Sequence, residues 1–129
     1  MMFQRVVLDT NILVSALMTP SGNPASVYRM FISREIVLVY SEEIMREYED
    51  VLYRPRLKIS AEDADTILKA IRQYGELAAP TPSTEALADE DDRVFYDAAR
   101  TVGAYLITGN TRHYPPSSFI LTPKEFLEL

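Results

Sequence analysis

Apolar residues in this chain gather in two ways, as short unbroken runs and as stripes at helical spacing. "RVVLD" (5–9), "EIVLVY" (35–40) and "AYLIT" (104–108) are unbroken runs rich in β-branched residues and predict strands buried on both faces. "ELAAP" (76–80) and "FILTP" (119–123) predict two shorter strands. The helical period runs through 12–18, breaks at the turn residues of "TPSGNP", and resumes in "PASVYRMFIS" with Pro24 suited to a first turn. In "SEEIMREYEDVLYRP", Ser41 is placed as an N-cap, Ile44, Tyr48, Val51 and Leu52 form the apolar face, and Pro55 marks the stop. "SAEDADTILKAIRQYG" repeats the pattern, with Ser60 as cap, Ile67, Leu68 and Ile71 as stripe and Gly75 as C-terminal signal. "DRVFYDAARTVG" predicts a helix ending at Gly103, and "PKEFLEL" a last one capped by Thr122. "TPSTEALADED" and "GNTRHYPPSS" read as polar connections.

The resulting order, β-α-α-β-α-α-β-α-β-β-α, predicts an α/β domain with a parallel sheet covered on both faces. With 129 residues and no repeat or linker, a single domain over 1–129 is expected. Parallel sheets of this kind place function at the carboxyl ends of their strands. Asp9 ends the first strand, Ser41 to Glu43 follow the second, and Thr108 to Asn110 follow "AYLI". One edge is therefore expected to collect them.

Composition narrows the field. There is no cysteine, so disulfide frameworks and thiolate metal sites are excluded. No apolar run approaches the roughly 18–20 residues of a membrane span. "MMFQRVVLDT" is interrupted by Arg5 and Asp9 where a secretory leader would be apolar, so a cytoplasmic location is expected. A net charge of −6 argues against gripping nucleic acid by bulk charge, but not against an acidic site that first recruits cations.

Three acids stand out. Asp9 places a charge at the end of a buried strand; capping the next helix is its plainer explanation. Glu47 lies beside the apolar stripe of its helix, although a solvated helix glutamate is the commoner case. Asp92 opens its helix within the run Asp89, Glu90, Asp91, Asp92, where dipole compensation is the ordinary role. Asp97, five residues on, lies about 140° around the axis from Asp92 and is not expected to share its site. Clustered carboxylates repel and need protons or cations. Mg²⁺ or Mn²⁺ would resolve the repulsion, admit a phosphodiester and activate water for its hydrolysis.

With these residues in place the chain resembles the PIN-domain family, in particular the single-domain prokaryotic proteins of toxin–antitoxin pairs. "VVLDTNILVSAL", "SEEIMREYEDVLYRPRL" and "DEDDRVFYDAARTVGAYLITGNTRHYP", in this order, carry the likeness over nearly the whole chain. The resemblance implies a three-layer α/β/α fold and an endoribonuclease dependent on Mg²⁺ or Mn²⁺. It implies catalytic and metal-holding roles for Asp9, Glu47 and Asp92, with Asn110 as a further metal ligand and Asn11 and Thr108 as orienting residues. Asn110 is a departure, since many relatives carry an acid there; an amide can ligate through its oxygen but adds no charge. Implied partners are RNA, a small antitoxin protein and a second copy of the chain. Val27, Met30, Phe31 and Met45 add to the last expectation, as more apolar surface than a small core is expected to hold.

Other signals are weaker. His113, the only histidine, suits a loop or packing role, with no neighbours that complete a zinc set. Arg54, Arg56 and Arg112 are candidates for phosphate contact, and the eight tyrosines sit mostly at core spacing. A haloacid-dehalogenase phosphatase would want an acid where Asn11 stands. A receiver domain would want an aspartate where Ser41 stands. The alternative that survives is a PIN-fold module that binds RNA or protein with weak or no catalysis, favoured by Asn110.

Overall fold

The computed structural model describes residues 4–129. Strand β1 (Gln4–Leu8) leads into helices α1 (Thr10–Met18) and α2 (Asn23–Ile32). Strand β2 (Ile36–Tyr40) is followed by α3 (Glu42–Leu52) and α4 (Ala61–Tyr74). Then come β3 (Glu76–Leu77), α5 (Arg93–Val102), β4 (Tyr105–Ile107), β5 (Ile120–Leu121) and α6 (Pro123–Leu127). Short 3₁₀ turns at Pro55–Leu57, Glu90–Asp92 and Thr111–His113 interrupt the connections.

All five strands are parallel, in the order β3-β2-β1-β4-β5. Val6, Val7, Leu8, Leu38, Val39, Leu106 and Ile107 are completely buried, as the unbroken apolar runs require of strands with helices on both faces. Helix α1 packs on α2 and α2 on α6, while α3 packs on α4 and α5. The fold is the expected three-layer α/β/α arrangement. Leu8 pairs with Ile107 and Ile107 with Leu121, while Tyr40 pairs with Leu77. The next residues, Asp9, Ser41, Thr108 and Thr122, therefore share the carboxyl edge.

The helix caps follow the sequence closely. Ser41 Oγ accepts from Ile44 N at 3.1 Å and Ser60 Oγ from Asp63 N at 3.0 Å. Thr122 and Glu125 form a reciprocal capping box around Pro123. Gly103 ends α5 in the left-handed region, at φ 72°. Gly75 follows α4 as expected but in an extended conformation, so positive φ is not what selects glycine there. A Cβ would stand 2.5 Å from Ile71 O and 3.0 Å from Leu38 O, because α4 turns into β3 tightly against β2. Val27, Phe31 and Met45 are buried inside the chain and Met30 partly so. The surplus of apolar surface expected from them does not arise, and a homodimer draws no support from these residues. Among the described residues no helix is long and apolar enough to cross a membrane. The expectation about a secretory leader rests partly on residues 1–3, which lie outside the described range.

Candidate active site at the carboxyl edge

Asp9 leaves β1 where the ladder with β4 still holds, its N–H donating to Ile107 O at 3.0 Å. The residue is only 8% exposed. A buried carboxylate needs donors. Thr108 Oγ1 donates to Asp9 Oδ2 at 2.9 Å, and Tyr114 OH approaches the same oxygen at 3.4 Å. Thr108 is itself completely buried, its N–H bound to Leu121 O and its Oγ1 accepting from Asn110 N at 3.1 Å. Below them Tyr48 OH donates to Leu8 O at 2.5 Å, fixing α3 against the end of β1. Burial and the nearby Asp9 charge hold the phenols of Tyr48 and Tyr114 far above their ordinary range, so both remain donors.

Glu47 projects from α3 and is half-buried. Burial raises its pKa, and so do Asp50, Asp91 and Asp9, against the opposing charge of Arg54. Asp92 ends the 3₁₀ turn that precedes α5 and stands at the N-cap of that helix, as expected, while Asp89 caps the turn by accepting from Asp91 N at 3.0 Å. Burial, then Asp9 and Asp89, push Asp92 up to about 6, with His113 opposing. The three carboxylates thus form one electrostatic group: Glu47 and Asp92 each sense the charge on Asp9.

His113 does more than a packing residue. Its Nδ1 stands 3.3 Å from Asp92 Oδ2, at ion-pair distance without a hydrogen bond, and its Nε2 is 2.8 Å from Asn110 Nδ2. With the amide donating to Nε2, the imidazole proton is assigned to Nδ1, facing Asp92. Asp92 Oδ2 is buried, and among the described residues no hydrogen bond reaches it. Neither Tyr114 nor His113 is singled out by its local pattern; the one signal in the sequence is their position in the loop after β4.

Asn11 lies at the start of α1. It is exposed on the first turn of α1 and lines a cavity with Asn23, Gly109 and Lys124; no hydrogen bond joins it to Asp9. Arg54 is held by Asp50 at 2.6 Å, whereas Arg56 and Arg112 are exposed. Asp97 is buried apart from the group and accepts from Ser83 N at 3.2 Å.

Residues 5–112 match the family model of the PIN domain. The chain belongs to the PIN-domain family. This PIN domain is 28% identical over 139 residues to the uncharacterized protein MJ1680 of Methanocaldococcus jannaschii, covering 96% of this chain and 90% of that protein. Its fold is shared with the crystal structure of PAE2754 from Pyrobaculum aerophilum, at a TM-score of 0.58 and 18% identity over 98% of this chain and 88% of that one. The PIN fold is of the nuclease type, and PIN domains are generally nucleases that typically use divalent metals.

The donor set can be tested against such a cation. Among the described residues no three histidine, cysteine or acidic side chains stand as a ready-made metal cage. The donors at the edge are oxygens, which suit Mg²⁺ or Mn²⁺. Burial first and neighbouring acids second raise Glu47 and Asp92, opposed only in part by Arg54 and by His113, and a divalent cation at these carboxylates would offset the same penalty. The residues fit the ion chemically, with adjustment of side chains on binding.

Proposed function

We propose that this PIN domain is a Mg²⁺- or Mn²⁺-dependent endoribonuclease, working as the toxin of a toxin–antitoxin pair with a small antitoxin protein as its partner. The observation that carries the nuclease reading is the buried Asp9 carboxylate at the end of β1, held by Thr108 and Tyr114, with its charge reaching both Glu47 and Asp92. The toxin role rests on the likeness to small prokaryotic PIN proteins.

In this reading Asp9, Glu47 and Asp92 hold the cation, and the Asn110 side-chain oxygen adds a neutral ligand. When bound, the ion neutralises charge developing on the phosphodiester and supports attack by water. The chain's own part is preorganisation. Thr108 and Tyr114 fix Oδ2 of Asp9, and among the described residues no donor reaches Oδ1. Tyr48 ties Leu8, and with it the strand end, to the helix that carries Glu47. His113 holds Asn110 beside Asp92.

The test is cleavage of a mixed single-stranded RNA pool with Mn²⁺, with Mg²⁺ and with chelator. Cleavage is expected with either metal, is abolished by chelator, and falls about a hundredfold or more in Asp9→Asn. Cleavage indifferent to chelator sinks the metal reading. A second reading, a module that binds RNA or protein with little catalysis, is favoured by Asn110, which adds no charge where many relatives carry an acid. Tight RNA binding with no cleavage under any metal would establish it.

A further inference from the structure

Beside the carboxylates lies a cavity of about 270 Å³ between the first turns of α1, α2 and α6 and the loop after β4. Asn11 and Ser15, one helical turn apart on α1, face it together with Asn23 of α2 and Lys124 of α6. Gly109 forms its border with the acidic group, standing between Thr108 and Asn110. We propose that this cavity is a base-recognition subsite, which takes the nucleobase flanking the phosphate held at the carboxylates; the proposal rests on the nuclease reading and gives it a source of sequence preference.

Four features carry it. First, its polar groups are free. The hydrogen bonds of the surrounding segments run among Asp9, Thr108, Asn110, His113, Thr122 and Glu125, and leave Asn11, Ser15, Asn23 and Lys124 without a partner among the described residues. Second, their chemistry matches a base edge. A primary amide presents a donor and an acceptor side by side, as the edge of a nucleobase does, and two amides flank this cavity. Ile12, Pro24 and Pro123 supply apolar walls for the faces of a ring. Third, the charge is right for a neutral group with an anionic neighbour: Lys124 is the sole charged residue of the lining. Fourth, the place is right. Asn11 is two residues from Asp9, and Gly109 adjoins Thr108, which is bonded to Asp9. Proteins read single-stranded RNA in this manner, from splayed bases held at their edges and faces.

Gly109 makes the subsite testable. A Cβ there would meet nothing within 4 Å, and its φ is not positive, so a larger side chain fits the backbone and extends into open space at the cavity mouth. The probes are four single-stranded homopolymeric RNA tetranucleotides, titrated in the presence of Ca²⁺, a hard cation that prefers oxygen ligands, into isotope-labelled full-length protein. The expected result is a shift of the Asn23 side-chain amide and the Gly109 backbone amide that is strong for one base and weak for the others. Asn23→Ala is expected to weaken the preferred tetranucleotide about tenfold and level the four affinities. Gly109→Leu is expected to abolish the shift at Asn23. Lys124→Gln is expected to weaken all four alike, as loss of a phosphate contact does. In parallel, cut sites in a random RNA pool are mapped with Mn²⁺ for the native chain and for Asn23→Ala. A preferred base next to the cut that disappears in Asn23→Ala supports the subsite. Cleavage with no shift at Asn23 or Gly109, or a preference unchanged in Asn23→Ala and Gly109→Leu, overturns the subsite and leaves the nuclease reading standing. Base-selective binding without cleavage supports the pocket and overturns the nuclease reading instead.

Discussion

Asp92 is the residue on which the electrostatics of the site can be measured. Its carboxyl is raised from 3.8 to about 6 by burial and by Asp9 and Asp89. The folded chain therefore holds this proton more tightly than the unfolded chain does. The sign follows: below pH 3.8 the group is neutral in both states and costs nothing, and the penalty of charging it accrues as pH rises, complete above about 6. In chelator, Asp92→Asn is expected to match the native chain near pH 4. It should exceed it by on the order of 1 kcal/mol at pH 7, once solvent screening is allowed for. Urea melts of both proteins at the two pH values check this; an equal difference at both would remove the electrostatic origin. Thr108 shows the opposite case. Thr108→Val deletes the 2.9 Å donor to Asp9 and strands a buried carboxylate oxygen, at a cost of roughly 1–3 kcal/mol in the same melts.

At the scale of elements, the connection from β3 to α5 is a strap held by side chains. Residues 79–89 have no regular structure, yet Thr81 N donates to Thr101 Oγ1 at 2.8 Å and Ser83 N to Asp97 Oδ1 at 3.2 Å. Arg93 Nη2 donates to Glu85 O at 2.7 Å, and Arg93 Nη1 to Ser83 Oγ at 2.8 Å. Asp97 thus has a structural task on the far side of α5, consistent with its angle from Asp92. Asp97→Asn keeps an acceptor for Ser83 and is expected to change RNA cleavage little. Asp97→Ala removes that acceptor and is expected to cost about 1–2 kcal/mol, with faster hydrogen exchange at the Ser83 amide. Unchanged exchange at Ser83 would show that the strap does not depend on Asp97. The strands, the three capped helix starts and the strand-end position of Asp9 were all legible in the sequence, because they follow from local periodicity and capping chemistry. The strap was not, because its anchors sit on a helix that follows it and meet it only once packed.

At the scale of the molecule, the carboxyl edge gathers residues separated by about a hundred positions. Asp9 comes from the start of the chain, Glu47 from its middle, and Asp92, Thr108 and Tyr114 from its last third. The cation proposed for that group would bind the folded state alone and stabilise it by mass action. Mn²⁺ at about 100 times its Kd is expected to add about 2.7 kcal/mol to the native chain and little to Asp9→Asn. Asn110→Asp adds a charge facing the cation and should bring the same stabilisation at lower Mn²⁺, read by thermal melting against metal concentration. Equal shifts in the native chain and Asp9→Asn would place the ion away from Asp9.

The sequence by itself determined the order of elements, the parallel sheet, the edge that Asp9, Ser41 and Thr108 share and the family. Each of these is written in short-range pattern: apolar runs, helical stripes, caps and three motifs in a fixed order. Tertiary structure alone decided the rest. It sent Tyr114 to Asp9 and His113 to Asp92, because the path of the loop after β4 is set by the pairing of β4 with β5. It buried Val27, Phe31 and Met45, removing the case for self-association drawn from them. It also brought the charge of Asp9 to bear on Glu47 and Asp92, because charge interaction depends on distance in space and not along the chain.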